Sequence, residues 1–226
     1  MKAYLEKIGG EWLDDFVYMS VEPLKSLGFE IQPFDGDDLE DTLGCYFLNI
    51  DKDVIIGSVE ASNYFFKECG IEAPKYLGYP SELYKYLGRT VHQTKLGLMT
   101  IPSFIKPAND VKLFTGTVIE NKGGYQMLLD YSDADENTDI LQSELVEFVS
   151  EYRCFVHEDT LKGIQFYLGD FKIFPHVGVI EAMIEAYSSA NCAYTLDVGV
   201  TADGRTLLVE VNDMWAIGAY GFNSRD

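Results

Sequence analysis

Asp197, Glu210 and Asn212 place two carboxylates and an amide oxygen within residues 193–215, AYTLDVGVTADGRTLLVEVNDMW. An all-oxygen set suits a hard cation, and Mg²⁺ in particular binds through one or two carboxylates together with substrate phosphates. Glu210 and Asn212 are two apart, so on an extended strand they share a face. The competing reading is that acidic side chains at the end of an exposed strand are simply solvated. Against it stand Leu207, Leu208, Val209 and Val211, which read as a mostly buried strand in which an unpaired carboxylate is costly.

A polyphosphate at such a site needs cations. Lys106 lies in FIKPANDVKLFTG, with Lys112 six residues further on. A single loop lysine is ordinarily solvated. Beside an acidic hairpin, however, the pair suggests a phosphate chain bridged between ammonium groups and Mg²⁺, which neutralises the charge on a transferring phosphoryl group. Arg153, in SEYRCFV, alternates with apolar neighbours on a strand that reads as buried, so its guanidinium needs an anion. That anion is either a phosphate or Glu151, which shares the strand face.

These side chains have to be held by strands. Residues 194–200 alternate apolar and polar, Ala202, Asp203 and Gly204 supply turn residues, and residues 206–211 are β-branched and apolar, which predicts a hairpin. A helix over 179–189 leads into it. Upstream, strands are predicted at 101–106, 113–120, 140–149, 151–156 and 164–167. Residues 121–124 read as a turn, 125–130 as short strand or helix, and the acidic run 130–139 as a solvated loop. The N-terminal part alternates strand and helix: strands at 1–8, 29–34, 43–50 and 54–58, helices at 11–27 and 60–69, with an acidic loop at 35–41. That alternation is the signature of a small α/β layer. Residues 74–80, rich in Tyr and Gly, read as a connecting loop. Their tyrosines Tyr76 and Tyr79, with Tyr84 and Tyr86, offer a ligand-stacking surface, but interdomain packing is the expected role, and 81–87 starts a short helix with Ser81 as N-cap.

Composition removes other functions. The 226 residues are 47% hydrophobic and 14% aromatic, enough for a real core. The balance of 17 basic and 37 acidic residues, net −20, argues against nucleic acid, since phosphate backbones need clustered Lys and Arg. The sequence offers no bilayer-spanning apolar run and no signal segment, so a soluble, cytoplasmic protein without a membrane partner is expected. Cys45, Cys69, Cys154 and Cys192 are widely separated and predicted to be reduced core thiols, and the scattered His92, His157 and His176 lack zinc-ligand spacing.

Four pieces in chain order resemble the ATP-grasp family, in particular its compact members common in phage and bacterial genomes. They are Lys106 in FIKP, the stretch SELVEF followed by Glu151, EYRCFV with Arg153, and the closing pair LDVGV and LVEVN. The resemblance spans roughly residues 100–222. It implies an α/β (α+β) ATP-grasp fold: an N-terminal α/β lobe over 1–95, then an ATP-grasp domain over 96–226 whose two α+β subdomains clamp ATP. By the same resemblance Lys106 and Lys112 contact the ATP phosphates, and Glu144 with the backbone around Val146 forms the adenine hinge. Glu151 accepts from the ribose hydroxyls. Asp197, Glu210 and Asn212 hold one or two Mg²⁺ ions, and Arg153 faces the γ-phosphate or an acyl phosphate, with Lys112 as its catalytic companion. The implied activity is an ADP-forming carboxylate–amine ligase, with ATP and Mg²⁺ as cofactors and small-molecule or peptide carboxylates and amines as substrates. A non-catalytic nucleotide-binding module and a small-molecule kinase are the alternatives. Two departures stand out. Thr195 occupies a position, two before the first metal Asp, where many members carry Arg, and a glycine-rich phosphate loop is confined to residues 112–116 or 121–124.

Overall fold

The computed structural model describes residues 1–44, 46, 48–74, 76–108, 113–215 and 217–222. Two units divide the chain, one of Met1–Lys75 with Asp213–Asp226 and one of Tyr76–Asn212.

The first unit is built on β1 (Lys2–Ile8), followed by β2 (Glu11–Trp12), α1 (Asp15–Ser26), β3 (Glu30–Asp35), α2 (Leu39–Thr42), β4 (Val54–Ile56) and α3 (Val59–Glu68). β1 is parallel to both β3 and β4 and lies between them, with β2 folded back antiparallel. Its two faces enter two cores: Ala3 and Leu5 pack with Val17 of α1, and Tyr4 packs with Phe34, Leu43 and Phe65. Burial on both faces is what a central strand of a parallel sheet requires. Asp14 starts α1 by accepting from the Val17 N–H, and Ser58 starts α3 by accepting from Ala61.

Three expectations fail in this unit. Glu11 and Trp12, predicted to open the helix, pair with β1 as β2, and the helix starts at Asp15. Residues 43–50 form no strand among the described residues (45 and 47 lie outside them); Leu43, Tyr46 and Leu48 instead fill the core beside Tyr4. A short apolar run carries no periodicity that separates a strand from an irregular buried segment. The acidic stretch 35–41 contains the single turn α2, capped by Asp38.

The second unit contains two antiparallel sheets. β5 (Val91–Lys95), β6 (Ser103–Pro107), β7 (Thr117–Ile119) and β8 (Asp139–Ser143) form one, in the order β5-β8-β6-β7, with α4 (Lys122–Tyr131) beside it. β9 (Phe148–His157), β10 (Thr160–Gly169), β11 (Ala193–Thr201) and β12 (Thr206–Asp213) form the other, in the order β10-β9-β11-β12, with α5 (Val177–Ala186). Alternation along β9 and β11 sorts their side chains. Tyr152, Cys154, Val156, Tyr194, Leu196 and Val198 pack with Ile180 and Met183 of α5. Arg153 and Asp197 therefore stand on the opposite face, and the register places them directly across from each other.

The segment predicted as a turn at 121–124 is the first turn of α4. Asn121 accepts from the N–H groups of Gly123 and Gly124, and this N-cap overrides the poor helix propensity of the glycines. It therefore forms no loose glycine loop; of the other candidate, 112–116, Lys112 lies outside the described residues. Ser81–Tyr86 is a 3₁₀ helix without the expected side-chain cap. Cys69, Cys154 and Cys192 are free thiols, and Cys192, expected in the core, is exposed. No described helix is long and apolar enough to cross a membrane.

Candidate functional site

The site is a row of charged side chains within the second unit, two carboxylates joined by an amide and closed by a cation at each end. Arg153 of β9 grips Asp197 of β11 through two parallel hydrogen bonds, Nε to Oδ1 at 2.8 Å and Nη2 to Oδ2 at 2.7 Å. Both side chains are nearly buried, at 9% and 4% exposure. Next in the row is Asn212 of β12, whose Nδ2 donates to Asp197 Oδ2 at 3.3 Å and to Glu210 Oε1 at 3.1 Å. Glu210 in turn accepts from Lys106 Nζ at 2.7 Å on its other oxygen. Lys106 comes from β6, in the other sheet, so the row bridges the two sheets of this unit.

Burial raises the Asp197 carboxyl above the usual carboxylate range; the Arg153 fork pulls against this, and the charges of Glu210 and Glu151 add to it. Burial acts on Glu210 in the same direction, but the charge and hydrogen bond of Lys106, with help from Asn212 and Tyr76, hold it below its ordinary value. Lys106 responds in kind: burial alone would lower its pKa, yet Glu210 and the two tyrosines beside it raise it. Both carboxylates are thus bound into cationic partners, as buried charges must be.

The donor set also fits a hard cation. Asp197 Oδ2 and Glu210 Oε1 converge on one amide nitrogen, and a half-turn of the Asn212 amide would present Oδ1 there instead. Two carboxylates and one carbonyl oxygen make an incomplete cage. Among the described residues no group of three or more His, Cys, Asp and Glu could hold a metal. An ion there has to draw remaining ligands from water and phosphate, which is the habit of Mg²⁺ rather than Ca²⁺.

Glu151 and Arg153 share a face of β9, but Arg153 forms its bidentate ion pair with Asp197 across the strands. Glu151 accepts from the Tyr167 hydroxyl at 2.7 Å. Glu144 and Val146 lie in the short segment joining β8 to β9, which is the link between the two sheets. The Glu144 carboxylate accepts from the Thr90 N–H at 2.8 Å, and that bond lowers its pKa. Val146 is half-buried beside it.

Sequence reasoning missed Arg89, and it assigned Tyr76 and Tyr79 to packing rather than to this site. Tyr76 accepts a hydrogen bond from Lys106 and donates to Glu210 Oε2 at 3.3 Å. Lys106 Nζ lies 4.2 Å from the Tyr79 ring centroid and 4.9 Å from that of Tyr76. The segment predicted to be a connecting loop therefore walls this site, anchored where the Val211 N–H donates to the Gly78 carbonyl at 2.9 Å. The available signal was Gly78, whose φ of +60° marks a shaped backbone between two tyrosines rather than a plain tether.

A family model described as "ATP-grasp domain, R2K clade family 2" matches residues 86–226. Solved structures share the fold at low identity. A RimK domain ATP-grasp protein from Sphaerobacter thermophilus is 13% identical with a TM-score of 0.56, covering 96% of this chain and 92% of its own. D-alanine–D-alanine ligase from Bacillus anthracis, complexed with ATP, is 12% identical at 0.54, over 99% and 89%. L-amino acid ligase from Bacillus licheniformis is 11% identical at 0.56, over 99% and 70%. No curated protein matches the sequence.

Proposed function

Because the chain belongs to the ATP-grasp family, R2K clade family 2, we propose that it is an ADP-forming carboxylate–amine ligase that works through an acyl phosphate. The observation that carries this reading is the charge row itself. Lys106 from one sheet meets Glu210 from the other at 2.7 Å, beside the Arg153–Asp197 fork. Two carboxylates flanked by a cation at each end over so short a span are suited to a phosphate chain and its counter-ion.

In this account Asp197, Glu210 and Asn212 hold Mg²⁺, which when bound neutralises phosphate charge and orients the γ-phosphoryl group. Lys106 moves from Glu210 to the phosphates, and Lys112 adds a second ammonium. Glu144 and Val146 present the adenine hinge, and Glu151 accepts from the ribose. Arg153, fixed by Asp197, faces the transferring group. A substrate carboxylate oxygen attacks the γ-phosphorus, ADP leaves, and an amine then displaces phosphate from the acyl phosphate to form the amide. The chain contributes position and charge neutralisation rather than a nucleophile of its own. The D-alanine–D-alanine and L-amino acid ligases among the structural relatives support a carboxylate–amine chemistry.

A second reading, a nucleotide-binding module without turnover, is favoured by Thr195. That side chain is fully buried with an unpartnered hydroxyl two residues before Asp197, where a further cation would have stood. Incubation with Mg·ATP, pooled amino acids and hydroxylamine as the amine separates the two. Ligase chemistry gives ADP and hydroxamates together; nucleotide binding with no ADP release supports the module instead.

A further inference from the structure

Glu210 reaches Asp197 only because β12 breaks its alternation just before it. In a regular strand Leu208 would share a face with Glu210 and Asn212. Here Leu208 and Val211 both enter the core packed against α5, while Glu210 and Asn212 stand on the Asp197 side. The irregularity therefore falls between 208 and 211, and Arg89 sits at that point. Its Nη1 donates to the Leu208 carbonyl at 2.8 Å and its Nη2 to the Val209 carbonyl at 2.9 Å. Consecutive carbonyls of a regular strand point to opposite edges, so two of them on one guanidinium mark a bulge, a device that re-aims side chains next to active sites.

The guanidinium is itself fixed. Nη1 also donates to the Leu87 carbonyl at 3.1 Å, and Nη2 lies 3.5 Å from the Tyr79 hydroxyl. The Tyr79 ring, 5.7 Å from the Arg89 Cζ, is the same ring that Lys106 Nζ approaches at 4.2 Å. Gly88 feeds Arg89 into place with a φ of +62°, at a position where a Cβ would come within 2.6 Å of Leu207. β12 is an edge strand, and its outer edge meets Gly78 and Arg89. Among the described residues no named strand pairs with that outer edge.

We infer that Arg89 is a positioning residue: its fork holds the bulge at Leu208 and Val209 that turns Glu210 toward Asp197 and Lys106. This rests on Glu210 being a metal ligand, as read above. A planar fork can bridge two carbonyls where a point charge cannot, so Arg89→Lys keeps the cation by Tyr79 and loses the bridge. The readout is the ratio of ATP affinities with and without Mg²⁺, measured by calorimetry for the wild type, Arg89→Lys and Arg89→Met. Outer-shell partners of a metal site are worth about tenfold to a hundredfold in metal affinity. Both variants are expected to lose at least tenfold of the Mg²⁺-dependent gain while keeping their metal-free ATP affinity. A merely structural role would lower both affinities together, and rescue by Lys would show that charge rather than the fork matters; either result overturns the inference. A wild type that binds ATP without any Mg²⁺-dependent gain removes the metal reading itself, and that failure appears before any variant is made. Should the variants not fold, NMR of the wild-type guanidinium decides. Slow rotation and slow proton exchange at Arg89 are expected, and a freely rotating group overturns the clamp.

Discussion

Removing Arg153 should unmask the cost of burying Asp197. The two side chains form one bidentate pair, 9% and 4% exposed, with the carboxyl already pushed upward by burial despite its partner. Truncating one member of such a pair leaves an uncompensated buried charge, at a cost of about 3–5 kcal/mol, whereas replacing both with neutral groups is close to neutral. Arg153→Met should therefore destabilise β9 and β11 by about 3–5 kcal/mol at pH 7, and Arg153→Met with Asp197→Asn should recover to within about 1 kcal/mol of the wild type. The sign of the pH dependence follows. Without Arg153 the folded-state pKa of Asp197 lies further above its unfolded value of about 3.9, so the deficit is small below that pH and grows as pH rises through the folded value. Both tryptophans, Trp12 and Trp215, belong to the other unit, which makes their fluorescence a poor probe. Amide hydrogen exchange in β9 and β11, between pH 4 and pH 7, reports the right region. A deficit below about 1 kcal/mol, or one that does not change with pH, would refute the reasoning that the pair is held by mutual charge compensation.

Lys106→Met should weaken ATP binding by about 2 kcal/mol, a factor of roughly thirty, with adenosine affinity unchanged in calorimetry, because the lost group is a charge-assisted partner of phosphate alone. Glu210 has its folded pKa lowered by Lys106, so its pairing adds stability that is complete above about pH 4.3 and is lost as pH falls through the folded value. The stability gap between wild type and Glu210→Gln in urea titrations should accordingly narrow below that pH. At Gly199 an added Cβ would lie 2.2 Å from the Phe148 ring. Gly199→Ala should cost about 1–3 kcal/mol of stability by overpacking, seen as faster amide exchange in β11.

The hairpin was legible because its information is local. Alternation alone puts Glu210 and Asn212 on one face, and Ala202, Asp203 and Gly204 announce the turn, which the structure forms between β11 and β12. Partner choice was not. The sequence offers Arg153 a phosphate or the nearby Glu151 as its anion, but the register pairs it with Asp197, 44 positions away. Register depends on which strands meet, and a single strand does not state that. The same limit hid Tyr76, which bonds to Glu210 across 134 positions. Arg89 left no trace either, since its partners are backbone carbonyls and carry no side-chain signature. Local capping was the opposite case. Asn121 ahead of Gly123 and Gly124 is a helix start, and the glycines drew attention away from it. In the first unit, β1 was readable from its apolar run, whereas Leu43 and Leu48 were not, since their burial follows from the helices and strands around them rather than from any period of their own.

The central claim is that a carboxylate oxygen attacks the γ-phosphorus. Transfer of label from an ¹⁸O-carboxylate substrate pool tests it most directly, with Mg·ATP and an amine present. An acyl phosphate route delivers one ¹⁸O from the carboxylate into the released inorganic phosphate, with ADP formed in equal amount. Phosphate released without label, or a stable phosphoester in place of an amide, would contradict the account.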